Sequence, residues 1–156
     1  MRTKNLKLIN LRIVKAVKNQ KPHLYNMMIF YEDTDAAGIV YHANYIKYLE
    51  RARTMFMNEL GFPLSKVVEL YKVQFLVCNI NISFEKPAKL EQTLTIASKI
   101  NNLGRASVTF EQNVYLDGES LEQRACQAEV ALVCTNLNYK PVAIPEAILQ
   151  ELKRES

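Results

Sequence analysis

The strongest constraint on the fold is one change in the spacing of the apolar residues, which falls near Leu70. Between Ala43 and Leu60 the apolar residues recur at steps of three and four, which predicts a long amphipathic helix. Gly61 and Pro63 follow in the order that usually ends a helix. Beyond Leu70, apolar and polar residues alternate through several stretches, and this period of two predicts strands.

The alternating stretches predict a meander of strands, preceded by a short apolar run at 24–31 that predicts a first strand. The phase of the alternation reverses between Val77 and Asn79, which predicts a β-bulge. Because strands and helices do not alternate, we expect an α+β fold in which an antiparallel sheet of about five strands wraps around one long helix. The later strands are predicted at 71–84, 94–100, 106–116 and 121–135, turns at 101–104 and 117–118, and a last short helix at 145–152.

The length and composition indicate one globular domain. The chain has 156 residues, of which 49% are apolar and 23% charged, and it has no apolar run long enough to span a membrane. Three cysteines, Cys78, Cys126 and Cys134, are widely spaced and form no CxxC pair, which disfavours a disulfide framework or a zinc site. We therefore predict reduced thiols, no metal, and a cytoplasmic protein.

The positive charge is concentrated at the N-terminus. Residues 1–31 hold seven basic residues and no acid, whereas the other 125 residues hold 13 basic and 16 acidic ones. We predict a basic extension over 1–24, with His23 in it, and a single domain over 25–156. The mildly acidic domain disfavours nucleic-acid binding. Three interpretations of the extension stay open: a loosely attached tail, a true translation start at Met27 or Met28, or a peripheral contact with the anionic inner membrane.

The densest polar cluster is Glu32–Asp35, which is followed by the small residues Ala36, Ala37 and Gly38 just before the predicted helix. Acids before a helix suit its dipole, which gives the cluster a purely structural explanation. Free N–H groups at a helix start also stabilise a developing oxyanion. Since no G-x-S-x-G motif and no cysteine nucleophile signature is present, a carboxylate is the best candidate for nucleophile or general base.

The segment from Phe30 to Arg53, which contains EDTDAAGIVYHANY, resembles the signature of hotdog-fold acyl-CoA thioesterases. It is similar to the 4-hydroxybenzoyl-CoA thioesterase family, and most of all to the bacterial branch associated with the Tol–Pal envelope system. Residues 84–88 and 103–112 extend the resemblance, which covers about Met28 to Leu137. The resemblance implies a five-stranded antiparallel sheet around one long helix, in subunits that join edge to edge as dimers or tetramers.

The resemblance assigns roles to Asp35 and His42, and the residue types themselves suggest the other roles. The catalytic aspartate falls on Asp35, and the oxyanion donor is the backbone N–H of His42, whose side chain either assists proton transfer or packs at the helix end. Asp33 is expected to cap the loop. Glu50 is expected to pair with neighbouring arginines, although another hotdog branch uses a helix glutamate as its catalyst. The residues predicted to bind substrate are Gly38, Tyr41, Asn44, Lys86 and Arg105, the last two through coenzyme A phosphates.

We therefore predict an enzyme that hydrolyses an acyl-CoA thioester to a free acid and coenzyme A. Asp35 either attacks the acyl carbon or activates a water, and no metal or bound cofactor is implied. An acyl-carrier protein is an alternative carrier of the thioester. Two other functions stay open: a non-catalytic module that binds acyl-CoA or acyl-carrier protein, and a hotdog hydratase or dehydratase. The length and type of the acyl group are left open.

Overall fold

A computed structural model of the chain describes residues 21–116 and 121–156. Most of the predicted extension and the turn predicted at 117–118 lie outside these residues. None of the described helices is long and apolar enough to cross a membrane. The elements, in chain order, are β1 (His23–Met28), α1 (Asn44–Glu59), α2 (Leu64–Tyr71), β2 (Val73–Phe84), β3 (Thr93–Leu103), β4 (Ser107–Leu116), β5 (Arg124–Asn136) and α3 (Glu146–Arg154).

The strands form one five-stranded sheet in the order β1-β3-β4-β5-β2. Every neighbouring pair is antiparallel, so the predicted α+β fold with one antiparallel sheet is confirmed. The register of β2 against β5 shifts between Val77 and Asn79, which confirms the predicted bulge. β1 and β2 lie at the two edges of the sheet, and β2 is hydrogen-bonded to β5 alone among the described strands.

The apolar face of α1 packs against the sheet. Tyr48, Leu49 and Ala52 are completely or almost completely buried on this helix. Phe56 meets Phe110 of β4 edge to face, with ring centroids 5.5 Å apart. Burying one large apolar side chain contributes roughly 1.5–3 kcal/mol. The helix is therefore held mainly by this packing, since its N-cap, Ala43, makes no side-chain cap hydrogen bond.

A buried polar network joins α1 to the middle of the sheet. Arg53 Nη1 donates to Gln112 Oε1 at 2.7 Å, and Gln112 Nε2 donates to Leu49 O at 3.0 Å and to Ser98 Oγ at 2.9 Å. Gln112 occupies a position of β4 where the alternation expects an apolar side chain. The network explains this exception, because a buried amide is tolerated when its polar atoms are hydrogen-bonded.

Three predictions about the elements need correction. The helix α2, which follows Pro63, was not predicted, and β2 therefore starts at Val73 instead of residue 71. Lys72 links α2 to β2 with a φ of 55°, in the left-handed region. The turn predicted at 101–104 is wrong over 101–103, because β3 continues to Leu103 past a register shift between Ile100 and Asn102. Continued pairing with β4 outweighs the turn preference of the asparagines.

The assignment of His23 to a tail is wrong, because His23 is the first residue of β1. Its ring meets the Phe56 ring edge to face at 5.4 Å, and its Nε2 lies 2.9 Å from Oε2 of Glu59. The sheet therefore begins two residues before the boundary predicted at residue 25. The short terminal helix predicted at 145–152 is confirmed as α3, whose Ile148 and Leu152 are buried.

Candidate active site

The segment between β1 and α1 folds into a tight turn around Asp35. Thr34 and Val40 form an antiparallel bridge. Inside it, Asp35 N donates to Ile39 O and Gly38 N donates to Asp35 O, both at 2.9 Å. Gly38 has φ of 73°, in the left-handed region that glycine adopts without strain. The turn is thus fixed by local hydrogen bonds and by one glycine.

Asp33 holds this turn against the start of α1. Its Oδ2 accepts from Phe30 N at 2.8 Å, and its carbonyl oxygen accepts from Tyr41 N and from Asn44 Nδ2, both at 2.9 Å. The residue is only 7% exposed. The predicted capping role of Asp33 is confirmed, and its hydrogen bonds keep the chain on both sides of the turn close together.

Asp35, in contrast, is exposed. Its Oδ1 accepts from Ala37 N at 2.8 Å, whereas Oδ2 has no hydrogen-bond partner among the described residues. One oxygen therefore fixes the orientation of the carboxylate and leaves the other available. Such a carboxylate can attack an electrophilic carbon or take a proton from water.

The N–H of His42 is open at the start of α1. The N–H groups of Tyr41 and Asn44 are used, since Tyr41 N donates to Asp33 O and Asn44 N donates to Tyr41 O. Within the described parts of the chain, no acceptor is found for the N–H of His42. An unpaired N–H at a helix start is suited to bind a developing negative charge on oxygen.

Aromatic rings line the chain next to this N–H. The exposed His42 ring lies 4.5 Å from the Tyr41 ring and 6.4 Å from the Phe84 ring, and Phe84 lies 5.5 Å from Tyr45. Burial, with a smaller contribution from Cys126, raises the pKa of Tyr45 to about 12. Burial and then the adjacent Asp33 carboxylate also raise the pKa of Tyr48. Both hydroxyls stay protonated at neutral pH, so neither acts as a base there.

The residues predicted to bind substrate are distributed over two ends of the molecule. Gly38 and Tyr41 lie in the turn and beside it. Lys86 follows β2 in a segment that is attached to the turn, because Val40 N donates to Ala88 O at 2.9 Å. Asn44 is buried and its amide donates to Asp33 O, so it positions the loop instead of presenting donors to a substrate.

Arg105 does not join this site within one chain. It follows β3 at the end of the sheet opposite to the turn, whereas the turn lies near the first residues of β3. At about 3.3 Å per residue the two ends of this strand are roughly 30 Å apart. Lys86 and Arg105, both predicted to meet coenzyme A phosphates, therefore lie at opposite ends of the sheet within a single subunit.

Glu50 also lies in surroundings that differ from the expectation. No ion pair with an arginine is found for it within the described residues; its Oε1 accepts from Thr54 Oγ1 at 2.7 Å. Arg51 instead lies over the Tyr48 ring, 5.9 Å from its centroid, and Arg53 binds Gln112. Glu50 and Arg53 face a cavity of about 110 Å³, which is lined further by Thr54, Met57, Leu64, Phe75, Val77, Val108, Phe110, Leu132 and Leu152.

Comparison with known proteins decides the family. Residues 37–123, more than half of the chain, match the family model described as the thioesterase superfamily. The chain belongs to the thioesterase superfamily. This thioesterase is 35% identical over 127 residues to the acyl-CoA thioester hydrolase YbgC of Escherichia coli O6:H1, an alignment that covers 81% of the chain and 92% of the relative. It is 36% identical over 124 residues to the acyl-CoA thioesterase YbgC of Helicobacter pylori, with 76% and 90% covered.

Solved structures agree with this assignment. The thioesterase superposes on a probable thioesterase from Bartonella henselae with a TM-score of 0.74 and 31% identity, over 80% of this chain and 99% of that one. The predicted hotdog fold and the prediction of a thioester hydrolase are thereby confirmed. Within residues 21–116 and 121–156 of the thioesterase, no group of three or more His, Cys, Asp or Glu side chains is placed to hold a metal ion.

Sequence reasoning did not assign two features of this thioesterase to the site. Phe84 lies against the His42 ring, and its place in the resembling segment 84–88 was the available signal. The cavity beside Arg53 had a weaker signal, a basic residue within the apolar stripe of the predicted helix.

Proposed function

We propose that this thioesterase hydrolyses acyl-CoA thioesters to a free acid and coenzyme A, with Asp35 and the N–H of His42 as its reactive groups. The observation that carries the proposal is their joint placement. The Asp33–Tyr41 hydrogen bond closes a loop in which one Asp35 oxygen and the His42 N–H have no partner among the residues that the structure describes. The names of the curated relatives support acyl-CoA as the substrate class.

The reaction follows from the roles of these two groups. The thioester carbonyl oxygen accepts from the His42 N–H and carries the negative charge as the carbon becomes tetrahedral. In one route Asp35 attacks this carbon, coenzyme A leaves as a thiolate, and water hydrolyses the resulting mixed anhydride. In the other route Asp35 takes a proton from the water that attacks the carbon. Both routes need the carboxylate in its ionised form.

The positive charge of Lys86 supports coenzyme A over a smaller thiol. Lys86 is exposed and stands in the segment attached to the turn, where a phosphate of the coenzyme would pass. An acyl-carrier protein, whose prosthetic group carries a phosphate at one end and ends in a thiol at the other, remains the alternative carrier. Three predictions stay untested: cytoplasmic location, contact of residues 1–24 with anionic lipid, and association with the Tol–Pal system. Co-sedimentation of the protein with anionic vesicles, with and without residues 1–20, tests the lipid contact.

We also propose that the active unit is a dimer formed through β2, with a tetramer of paired dimers as the larger alternative. β2 is an open edge on which Val77 is 46% exposed, and natural proteins cover such edges. A strand that pairs with its own copy about a two-fold axis runs antiparallel to it. Phe75 and Val77 line the cavity, so this pairing would place the acyl pocket at the subunit interface.

Cross-linking tests the dimer. Cys78 is exposed at the bulge near the middle of β2, so a two-fold axis there brings the two Cys78 thiols close together. A short bifunctional maleimide should give a covalent dimer, and Cys78→Ser should abolish it. Sedimentation that shows an active monomer at the assay concentration would contradict the proposal.

Release of free thiol tests the reaction itself. The purified protein is incubated with acyl-CoA thioesters, and the free coenzyme A is measured with a thiol reagent. A thioesterase releases the thiol in step with the free acid. A binding module or a hydratase leaves the thioester intact, so the absence of thiol across a panel of short, long and aromatic acyl groups would overturn the proposal.

A further inference from the structure

The cavity beneath the middle of α1 is large enough for the end of an acyl chain. A single water needs roughly 10–15 Å³ of such space, so about 110 Å³ accommodates several non-hydrogen atoms. Its wall is mostly apolar, with Met57, Phe75 and Phe110 among its members. It begins beside Glu50, which is six residues along α1 from Asn44 and so roughly 9 Å from the start of the helix.

One wall of this cavity carries a buried cation with unused donors. Arg53 is only 7% exposed, and its one hydrogen bond among the described residues goes from Nη1 to Gln112. Its Nε and Nη2 have no hydrogen-bond partner among the described residues, and Arg53 lines the cavity. Burial lowers the pKa of Arg53 to about 10, which leaves the guanidinium charged at neutral pH.

Glu50 determines which oxygen fits beside these donors. Its exposed carboxylate lines the same cavity and accepts from Thr54 Oγ1, and its charge acts on Arg53 in the direction opposite to burial. A carboxylate on the acyl chain would be repelled by Glu50. A hydroxyl instead accepts from Arg53 and donates to Glu50, so it satisfies both groups without adding a charge.

We propose that Arg53 is a specificity-determining residue, which binds a hydroxyl oxygen at the far end of the acyl chain. The preferred substrates are then thioesters of aliphatic acids that end in a hydroxyl group instead of a methyl group. This inference rests on the proposed function, because it names the substrate class of the same site.

Matched substrates test the inference. We compare kcat/KM for acyl-CoA thioesters of equal chain length that end in methyl, hydroxyl or carboxylate. A hydrogen bond to a charged group predicts a preference for hydroxyl over methyl of about tenfold or more in the wild-type protein. Arg53→Met should reduce that ratio to about one, and Arg53→Lys should retain part of it. Glu50→Gln should improve the carboxylate-ended substrate relative to the hydroxyl-ended one.

Arg51→Met is the matched control, because Arg51 is exposed on the same helix and does not line the cavity. It should keep the wild-type ratio. A wild-type preference below about twofold, or a ratio that Arg53→Met and Arg53→Lys both leave unchanged, would overturn the inference. Circular dichroism confirms that each variant is folded, and Arg53→Lys keeps the test decisive if Arg53→Met does not fold.

Failure of the proposed function is distinguishable from failure of this inference. If the wild-type protein releases coenzyme A from none of the substrates, the proposed function fails. The inference is then decided by binding of the free hydroxy acid. That acid should raise the Tm of the wild-type protein more than the methyl-ended acid does, and it should lose this advantage in Arg53→Lys or Arg53→Met. Equal shifts from both acids would overturn it.

Discussion

The loop before α1 and the cavity beneath its middle are built in different ways. The loop is held mainly by contacts close in sequence, such as the hydrogen bond from Asn44 to the carbonyl of Asp33, with a long-range link from Val40 N to Ala88 O. The cavity brings together residues from three helices and three strands, and its buried arginine is anchored to Gln112, 59 positions away. The difference teaches that the reactive groups depend on local geometry, whereas the choice of acyl group depends on the packing of the whole domain.

The largest expected effect separates the two aspartates of the loop. Asp35→Asn should keep the fold and lower kcat by about 10³-fold or more, because an amide neither attacks as an anion nor accepts a proton from water. Asp33→Asn should lower kcat by about tenfold or less, since Asp33 is occupied by the Phe30 N–H. Steady-state release of coenzyme A measures kcat for both variants. Equal losses of kcat would contradict the assignment of catalysis to Asp35 alone.

Stability should show the opposite order. Asp33→Ala removes the acceptor of a partly buried N–H, so we expect the free energy of unfolding to fall by about 1–3 kcal/mol. Asp35→Ala removes an exposed side chain and should change it by about 0.5 kcal/mol or less. Urea denaturation of the two variants measures this difference. A larger loss of stability for Asp35→Ala than for Asp33→Ala would mean that Asp35, and not Asp33, anchors the loop.

Gly38 provides a test of the turn itself. A Cβ at this position meets no atom of the described residues within 4 Å, so Gly38→Ala costs only the left-handed backbone conformation, about 1–2 kcal/mol. Gly61→Ala is the matched control, because Gly61 also has a positive φ, 86°, and open space around it, but lies outside the loop. Both should lose stability, and Gly38→Ala alone should also lower kcat. An unchanged kcat in Gly38→Ala would show that the reaction does not depend on the conformation of the turn.

Much of the loop and of the topology was predictable from the sequence, because both depend on local patterns. The change of period after Leu70 separates the helical part, which contains α1, from the strands. The phase reversal at Val77 corresponds to the bulge in β2. The unpredicted features depend on distant contacts. The helix α2 forms where a short segment packs Val67 into the core, and His23 joins the sheet because Phe56 lies opposite. Likewise, spacing alone does not place Arg105 at the far end of β3.

A further test concerns the pH dependence of stability that the buried tyrosine beside the site causes. Burial raises the pKa of Tyr45 to about 12, above its usual value near 10. Between these two pH values the unfolded chain loses the proton while the folded protein keeps it, so the free energy of unfolding should fall as the pH rises. Denaturation between pH 9 and 12 should show a shallower fall for Tyr45→Phe than for the wild type.

Tyr139→Phe is the control for this pH dependence, since Tyr139 is 71% exposed. It should follow the wild-type curve. A Tyr45→Phe curve identical to that of Tyr139→Phe would show that the hydroxyl of Tyr45 is not shielded by the core.

Chemical rescue tests most directly the claim that the carboxylate of Asp35 drives thioester hydrolysis. Asp35→Gly removes the carboxylate and leaves room for a small one, and the rate of coenzyme A release is measured with added sodium formate and with sodium chloride at equal ionic strength. We predict that Asp35→Gly is nearly inactive and that formate, but not chloride, restores a concentration-dependent part of the rate. An Asp35→Gly protein that is as fast as the wild type, or one whose lost activity formate leaves unchanged, would contradict the assignment.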